Sequence, residues 1–180
     1  MKKAIDFIKP AAILLAVAAA VALVLGLVDL LTRDTIERNA EEKTTQAMQA
    51  VLPAGSYEQL AYDAPSDIDA VYAAAGGGWV VQVTESGSQG TITLMVGVGA
   101  DLTCTGISVT QSSETAGLGA IASQASAAGD TFRAQFVGQS GTVAVTKDGG
   151  EIDALTGATI TSRAISNGVT AALALCETLA

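Results

Sequence analysis

The sequence predicts an α+β protein, in which one N-terminal transmembrane helix precedes a single domain with a mainly antiparallel sheet and flanking helices. Three observations predict this class. An apolar run stands near the N-terminus, several short runs then alternate between apolar and polar residues, and the C-terminal segment repeats apolar residues at helical spacing. The 180 residues are enough for one ordinary domain and a small additional segment.

The apolar run occupies residues 11–31 and contains a single charged residue, Asp29. A helix of about 20 apolar residues crosses a bilayer, whereas the apolar region of a cleaved signal peptide has only about 7–15 residues and precedes a small-residue cleavage site. The segment 30–33, Leu-Leu-Thr-Arg, is a poor cleavage site. The sequence therefore favours an uncleaved transmembrane anchor over a signal peptide.

The orientation of the anchor is predicted from its N-terminal tail, residues 1–10, in which Lys2, Lys3 and Lys9 are clustered. Three basic residues also follow the span, so the count alone does not orient it. A short tail with tightly clustered lysines favours the cytoplasmic side, and long domains are translocated largely regardless of their charge. We therefore expect a single-pass protein of the cell (inner or plasma) membrane. Its N-terminus is cytoplasmic, its folded domain is extracytoplasmic, and membrane lipid surrounds the anchor.

A second helical segment follows the anchor, because apolar residues recur at helical spacing with charged residues between them. Pro53 and Gly55 are expected to end it. We assign residues 32–55 to this membrane-proximal helix and residues 56–180 to the extracytoplasmic domain. The domain begins with a turn-rich stretch, residues 56–78.

The domain then shows the alternation and β-branched residues that predict strands. These strands are expected at residues 79–84, 91–98, 105–110, 131–136, 142–146 and 151–155. The first three form an antiparallel meander by their spacing, and a small, polar segment at 111–129 interrupts the pattern. Residues 147–150 predict a hairpin turn, and a helix that packs on the sheet is expected from Ile160 to the C-terminus.

Composition excludes several classes of function. The net charge is −9, so the chain lacks the basic surface of a nucleic-acid-binding protein. The absence of histidine excludes Ser-His and Cys-His triads and the usual zinc sites with His ligands, and no metal site is predicted. Cys104 and Cys176 cannot supply the four thiolates of an ordinary iron–sulfur cluster. They are either a disulfide or two small buried apolar residues.

The junction between the last strand and the C-terminal helix, Asp153-Ala-Leu-Thr-Gly-Ala-Thr159, is the most informative stretch. The first turn of a helix has backbone N–H groups without partners and binds phosphate readily. Gly157 and Ala158 allow close approach of a ligand to the backbone, and a bound phosphate would compensate Arg163 in the first turn. The alternative is an ordinary helix start, capped by one of the two threonines.

Two motifs in this order resemble those of a known family. Residues 153–159 resemble the flavinylation motif, which reads Asp, two variable residues, Ser or Thr, Gly, Ala, then Thr or Ser. Residues 113–119, Ser-Glu-Thr-Ala-Gly-Leu-Gly, resemble the family's Glu-Thr-Pro-Gly-Leu-Gly loop, with Ala116 in place of proline, and residues 132–138 resemble its linking strand. With its N-terminal anchor, the chain resembles the FMN-binding G subunits of Rnf electron-transport complexes.

The resemblance implies that FMN is covalently linked through its phosphate to Thr159, by a flavin transferase that uses FAD. Asp153 is then part of what the transferase recognises. The resemblance further implies a set of cofactor-binding residues: Glu114, Thr115, Gly117, Leu118, Gly119, Leu155, Thr156, Gly157 and Ala158. Other membrane subunits of the complex are the implied partners.

The expected function is therefore that of an electron-relay subunit carrying FMN in an ion-translocating ferredoxin:NAD oxidoreductase complex, which is not a complete enzyme by itself. Two flavoprotein alternatives remain, namely the C-type subunit of a Na⁺-translocating NADH:quinone reductase and a stand-alone membrane-tethered flavoprotein. The non-redox alternative is an anchored binding or structural module without flavin.

Overall fold

The computed structural model describes residues 2–62 and 67–180. The chain divides into two compact units, Met1–Glu42 and Lys43–Ala180. The first unit is helical, and the second contains an antiparallel sheet with helices packed on it. The predicted α+β class is confirmed.

Helix α1 extends from Lys2 to Val51 without interruption. The predicted membrane span and the predicted membrane-proximal helix therefore lie on one helix. At the expected boundary between them, the Thr32 hydroxyl donates a hydrogen bond of 2.8 Å to the Val28 carbonyl, and Arg33 pairs with Asp29 one turn earlier at 2.9 Å. The helix therefore has no break at the point where its apolar run ends. The boundary between the membrane span and the membrane-proximal helix stays a prediction.

The part of α1 from Ala12 onward is long and apolar enough to cross a membrane, with a mean hydropathy of 2.7 in its most apolar window. Its large apolar side chains between Ile13 and Leu31 are 52–74% exposed. Water would solvate so long an apolar surface poorly, whereas the hydrocarbon interior of a bilayer suits it.

We expect the full-length chain to remain in the membrane fraction after a wash with about 1 M salt, because salt screens charge but does not displace an apolar span. The control is the second unit alone, residues 43–180, which should be recovered in the soluble fraction. Immunoblots of washed membranes and supernatants measure both. Release of the full-length chain into the salt wash would contradict the anchor.

The second unit is built on a five-stranded antiparallel meander in the order β1-β2-β3-β4-β5. Its strands are β1 (Tyr57–Leu60), β2 (Ile68–Ala74), β3 (Trp79–Ser86), β4 (Thr91–Val98) and β5 (Cys104–Ser112). The predicted strands at 79–84, 91–98 and 105–110 are confirmed as β3, β4 and β5. The expectation of a turn-rich stretch at 56–78 was wrong, because it contains β1 and β2.

Successive side chains of a strand point to opposite faces of the sheet, and here apolar residues occupy both faces. On one face, Val81 and Leu94 pack with Ile165 and Val169 of helix α3, which extends from Thr159 to Leu179. This contact forms the main core and confirms the predicted C-terminal helix.

The opposite face of the sheet packs against the end of α1, where Met48 and Val51 contact Val80 and Met95. Gly97 makes this approach possible, since a Cβ there would lie 2.5 Å from the Val51 carbonyl oxygen. The sheet therefore has packed apolar residues on both faces.

The predicted strand at 131–136, which includes most of the linking strand implied by the resemblance, was wrong. Helix α2 occupies Ala127–Ala134, and the Ser126 side chain caps it by accepting a hydrogen bond from the Gly129 N–H. Phe132 and Phe136 are both buried and meet edge to face at 5.4 Å between ring centroids. The two phenylalanines are four residues apart, a spacing that suits a helix as well as the apolar alternation suits a strand. Here the chain forms a helix, and both rings lie in the core.

The predicted strands at 142–146 and 151–155 and the hairpin between them were also wrong. Only one parallel bridge forms, between Val145 and Ile152, and a 3-10 helix at Thr146–Asp148 stands where the hairpin turn was expected. Gly149, at φ 87°, ends that helix in the left-handed region that glycine adopts readily.

Cys104 and Cys176 are free and buried. Burial raises the pKa of the Cys104 thiol to about 11 and that of the Cys176 thiol to about 12. Of the two alternatives left by the sequence, the structure shows small buried apolar residues rather than a disulfide.

Candidate functional site

The turn that precedes helix α3 is tightly held. The Ala158 N–H donates to the Leu155 carbonyl at 2.9 Å, and the fully buried Ser162 hydroxyl accepts from the Leu155 N–H and donates to the Ala158 carbonyl, both at 3.0 Å. Gly157 has φ +74°, where an L side chain would be strained. The local sequence therefore presents Thr159 as the first residue of the helix.

No side chain caps this helix. The N-cap residue is Ala158, which has no hydrogen-bonding side chain, and no side-chain cap hydrogen bond forms there. The alternative of a threonine cap is therefore wrong. The first-turn N–H groups and the positive end of the helix dipole are left to an anion.

The hydroxyl of Thr159 has a cationic neighbour that sequence reasoning missed. Lys147, in the 3-10 helix at 146–148, donates a hydrogen bond from Nζ to Thr159 Oγ1 at 3.1 Å. The sequence placed Lys147 in a hairpin turn, where a lysine needs no explanation beyond solvation. No local signal connects it to a residue twelve positions later.

Arg163, the cation expected near a phosphate, is engaged elsewhere. Its guanidinium donates two hydrogen bonds to the Asp148 carboxylate, at 2.5 and 2.6 Å. The hydrogen bond from Arg163 holds the pKa of Asp148 below its usual value, and the same bond raises the pKa of Arg163. This pair ties the 3-10 helix to α3 and so fixes the backbone that carries Lys147.

Glu114 joins three segments that are distant in sequence. Its carboxylate accepts hydrogen bonds from the backbone N–H groups of Ser88 (2.8 Å) and Gln89 (3.0 Å) and from the Thr161 hydroxyl (2.6 Å). The β3–β4 turn, the loop before the 3-10 helix at Gly119–Ser123 and the first turn of α3 meet there. Glu114 is therefore a clamp that orders the edge of the site.

Partial burial tends to raise the pKa of Glu114, but the hydrogen bonds from Gln89, Thr161 and Ser88 together lower it below the usual value. The carboxylate is therefore ionised at neutral pH. A depressed pKa in the folded state contributes stability above the unfolded-state pKa, and this contribution is lost as the pH falls through the folded-state pKa.

We expect the free energy of unfolding of the parent protein to fall as the pH drops below about 4.3, the ordinary pKa of a glutamate. The loss should continue down to the lower pH at which Glu114 is protonated in the folded state. Glu114→Gln is the matched control, because an amide of the same shape does not titrate there. Urea unfolding midpoints at pH 3 to 7 measure the effect. Parallel pH profiles for the two proteins would show that the Glu114 carboxylate contributes nothing.

Two glycines of the predicted loop have different surroundings. A Cβ at Gly119 would lie 2.5 Å from both Glu114 Oε2 and Thr161 Oγ1, whereas a Cβ at Gly117 would contact nothing within 4 Å. Gly117 has φ +77°, a backbone conformation that other residues adopt poorly, so glycine is favoured there by its conformation and not by lack of space. Leu118, between them, is 42% exposed and lies against Gly157.

Two clefts meet at Thr159. The first has a volume of about 330 Å³ and is lined by Ser88, Glu114, Thr115, Leu118, Gly119, Lys147, Gly157, Ala158, Thr159, Ile160 and Thr161. The second, of about 400 Å³, is lined by Thr146, Lys147, Asp153, Ala154, Leu155, Thr156, Gly157 and Thr159. Both volumes are within the ~300–1,000 Å³ range of small-molecule sites.

The structure thus places the predicted site residues of both motifs on two adjoining clefts, except Gly117, which lines neither. Asp153 is exposed on the second cleft, and its backbone is held by Gln135, with N–H donation at 2.7 Å. Sequence reasoning missed Ser88, Lys147, Ile160 and Thr161. These residues border the motifs in space or directly follow them, and they have no pattern of their own.

The residues at Thr159 fit a phosphorylated flavin. An uncapped helix start and the Lys147 ammonium suit a phosphate, and a Cβ at Gly157 would partly fill the cradle, 3.1 Å from Leu118. Leu118 and Ile160, the latter 56% exposed, give the first cleft apolar contacts of the kind that an aromatic ring system requires.

Comparison with known proteins gives two family matches. A family model described as "FMN-binding domain" matches residues 87–174, and a model described as "RnfG N-terminal region" matches residues 1–51. The first match contains all the predicted site residues, and the second ends at residue 51, where helix α1 also ends.

Curated relatives agree with these matches. The chain is 33% identical, over 93% of its length and 90% of the relative, to the G subunit of the Na(+)-translocating ferredoxin:NAD(+) oxidoreductase complex of Acetobacterium woodii. It is 35% identical, over 86% of its length and 82% of the relative, to the G subunit of the ion-translocating oxidoreductase complex of Cronobacter sakazakii. The corresponding protein of Methanosarcina acetivorans is 39% identical over 53% of this chain and 50% of the relative.

Proposed function

The chain belongs to the family of G subunits of ion-translocating oxidoreductase complexes, and from this premise we propose that it relays electrons within such a complex through FMN attached covalently to Thr159. The observation that carries the proposal is the position of Thr159. Its hydroxyl lies at an uncapped helix start, next to the Lys147 ammonium and between two clefts.

In this proposal the phosphate of FMN is seated at the start of α3. The Leu155–Ala158 turn, closed by Ser162, supplies a rigid backbone, and Gly157 leaves room above it. The unpartnered N–H groups of the first helical turn stabilise negative charge. Thr156 is exposed beside the seat, on the second cleft.

Bound FMN supplies one- and two-electron redox chemistry, and the protein supplies position and electrostatics. Leu118 and Ile160 would contact the ring system in the first cleft, and Thr115 and Ser88 would offer polar contacts at its border. Glu114 orders this border through its hydrogen bonds to Ser88, Gln89 and Thr161. Because the attachment is at the phosphate, the ring is held by the cleft and not by the covalent bond.

The attachment requires a flavin transferase that uses FAD, and Asp153 suits the recognition of this segment by such an enzyme. Its carboxylate is exposed, while Gln135 holds its backbone from both sides through the N–H and the carbonyl. An enzyme could therefore read Asp153 together with the Thr-Gly-Ala-Thr turn as one rigid surface.

We also propose that electrons enter and leave through neighbouring membrane subunits. Two buried cysteines cannot bind an ordinary iron–sulfur cluster. The chain also has no NAD-binding glycine fingerprint directly after a strand, since Gly117-Leu-Gly119 stands in a loop after β5 and leads into a 3-10 helix. We further propose that the N-terminus lies in the cytoplasm and residues 56–180 outside, because the short tail before the span carries tightly clustered lysines. Protease treatment of intact spheroplasts, which should digest only the exposed domain, tests this orientation.

The direct test is the survival of flavin through denaturation. The purified chain should fluoresce in a denaturing gel, and trypsin, cutting after Lys147 and Arg163, should release the 148–163 peptide with the added mass of FMN at Thr159. A chain without covalent flavin would favour the non-redox module. Co-purification with other integral membrane subunits separates a complex subunit from a stand-alone flavoprotein.

A further inference from the structure

Lys147 is placed against the proposed attachment site. Its Nζ donates to Thr159 Oγ1 at 3.1 Å, and it lines both clefts that meet at this hydroxyl. An ammonium group has three donors and no acceptor. In this contact Lys147 is therefore the donor and Thr159 Oγ1 is the acceptor.

Positive charge is scarce in this domain. Residues 56–180 contain three basic residues and twelve acidic ones. Arg133 pairs with Asp130, and Arg163 pairs with Asp148. Within residues 67–180, as the structure describes them, no carboxylate forms an ion pair with Lys147. The one cation of this region without a carboxylate partner is thus directed at Thr159.

The backbone that carries Lys147 is fixed on both sides. The Asp148 N–H donates to the Val145 carbonyl at 2.8 Å, and the Asp148 carboxylate holds Arg163 of α3. Val145 is bridged to Ile152, close to the start of the motif. These contacts set the reach of the Lys147 side chain toward Thr159, although the side chain itself is exposed.

We propose that Lys147 is a positioning residue for the phosphoryl group at Thr159, which orients the hydroxyl during flavin transfer and then balances the charge of the phosphodiester. This role rests on the proposed attachment of FMN at Thr159. Neither the attachment motif nor the family matches assigns a role to Lys147.

Thr159 Oγ1 forms a bond to the phosphorus in the FMN half of FAD, and the bond from that phosphorus to the bridging oxygen breaks. AMP leaves with the electron pair, and the hydroxyl proton passes to a base of the transferase. The ammonium of Lys147 stabilises the negative charge that develops on Oγ1 and the single negative charge of the product.

The test compares Lys147→Gln and Lys147→Arg with the parent in the full-length chain, incubated with the transferase and FAD. Initial rates of covalent FMN incorporation are measured by intact mass. We expect Lys147→Gln to lower the rate about tenfold, the effect of losing one charge-assisted hydrogen bond at an exposed site. Lys147→Arg should restore most of the rate. Lys43→Gln, which removes an exposed charge that lines neither cleft, should leave it unchanged.

The phosphodiester gives a second readout. Lys147→Gln protein, loaded with FMN by prolonged incubation, should show a shifted ³¹P resonance relative to the parent, because the adjacent cation is gone. Equal rates and equal ³¹P shifts in folded Lys147→Gln protein would overturn the role of Lys147. An arginine variant as slow as the glutamine variant would also overturn it. A parent chain that acquires no covalent flavin would instead overturn the proposed attachment.

Discussion

Replacing Thr159 by alanine should abolish covalent flavin completely, because alanine has no side-chain oxygen to form the phosphoester. Thr159→Ser is the matched variant, since it keeps a hydroxyl at the first position of α3. It should retain covalent FMN, at a reduced rate, because a serine side chain lacks the methyl group that restricts its rotamers. Intact mass and fluorescence of the denatured chains measure both outcomes.

Both variants should fold like the parent. The Thr159 hydroxyl caps no backbone group of α3, and its hydrogen bond is made to an exposed lysine. The loss in unfolding free energy is therefore expected to stay within about 0.5 kcal/mol, as for most surface substitutions. If folded Thr159→Ala protein still carried FMN through denaturation, another residue would be the attachment site.

Gly119→Ala should destabilise the domain by about 2–4 kcal/mol and change the flavin environment, while the ester at Thr159 persists. The new Cβ would lie 2.5 Å from both Glu114 Oε2 and Thr161 Oγ1 and 3.0 Å from Glu114 Cβ. The hydrogen bond between these two side chains must then break, and overpacking of the buried position adds to the loss. The clamp that joins the loop to α3 would open, and the first cleft would change shape.

Gly117→Ala is the matched control, because it adds the same methyl group two residues earlier in open space. Its φ of +77° makes alanine unfavourable by about 1 kcal/mol, so a smaller stability loss and an unchanged flavin spectrum are expected. Urea unfolding, absorbance spectra and reduction rates of the two flavinylated variants are compared. Equal stability losses would contradict the steric role of Gly119 beside Glu114 and Thr161, and a parent-like spectrum for Gly119→Ala would place the ring away from this loop.

Local patterns were sufficient for much of the fold. A membrane span depends only on length and hydropathy, so residues 11–31 were recognisable without any partner. Strands β3, β4 and β5 followed from period-two alternation, and α3 followed from apolar spacing in steps of four and three. In each case the information lies within one continuous segment.

Secondary structure was predicted wrongly where the apolar residues of a segment fit both the strand and the helix period, or fit neither. Residues 131–136 alternate like a strand, but Phe132 lies within α2 and Phe136 in the turn that follows it, and both rings pack together in the core. The predicted hairpin at 147–150 contains turn residues that equally suit a 3-10 helix. Local propensity differs little between helix, strand and turn in such segments, so tertiary contacts decide which of them forms.

The candidate site divides in the same way. The sequence by itself determined the apolar span, strands β3 to β5 of the meander, the C-terminal helix and the Thr-Gly-Ala-Thr junction with Thr159 at its end. Only the tertiary structure placed Lys147 against Thr159, linked Glu114 to Ser88 and Thr161, and separated Gly117 from Gly119. The physical reason is that a polar side chain in a turn has the same local pattern whether it faces water or a site. Its partner is decided by how segments 12 to 47 residues apart pack together.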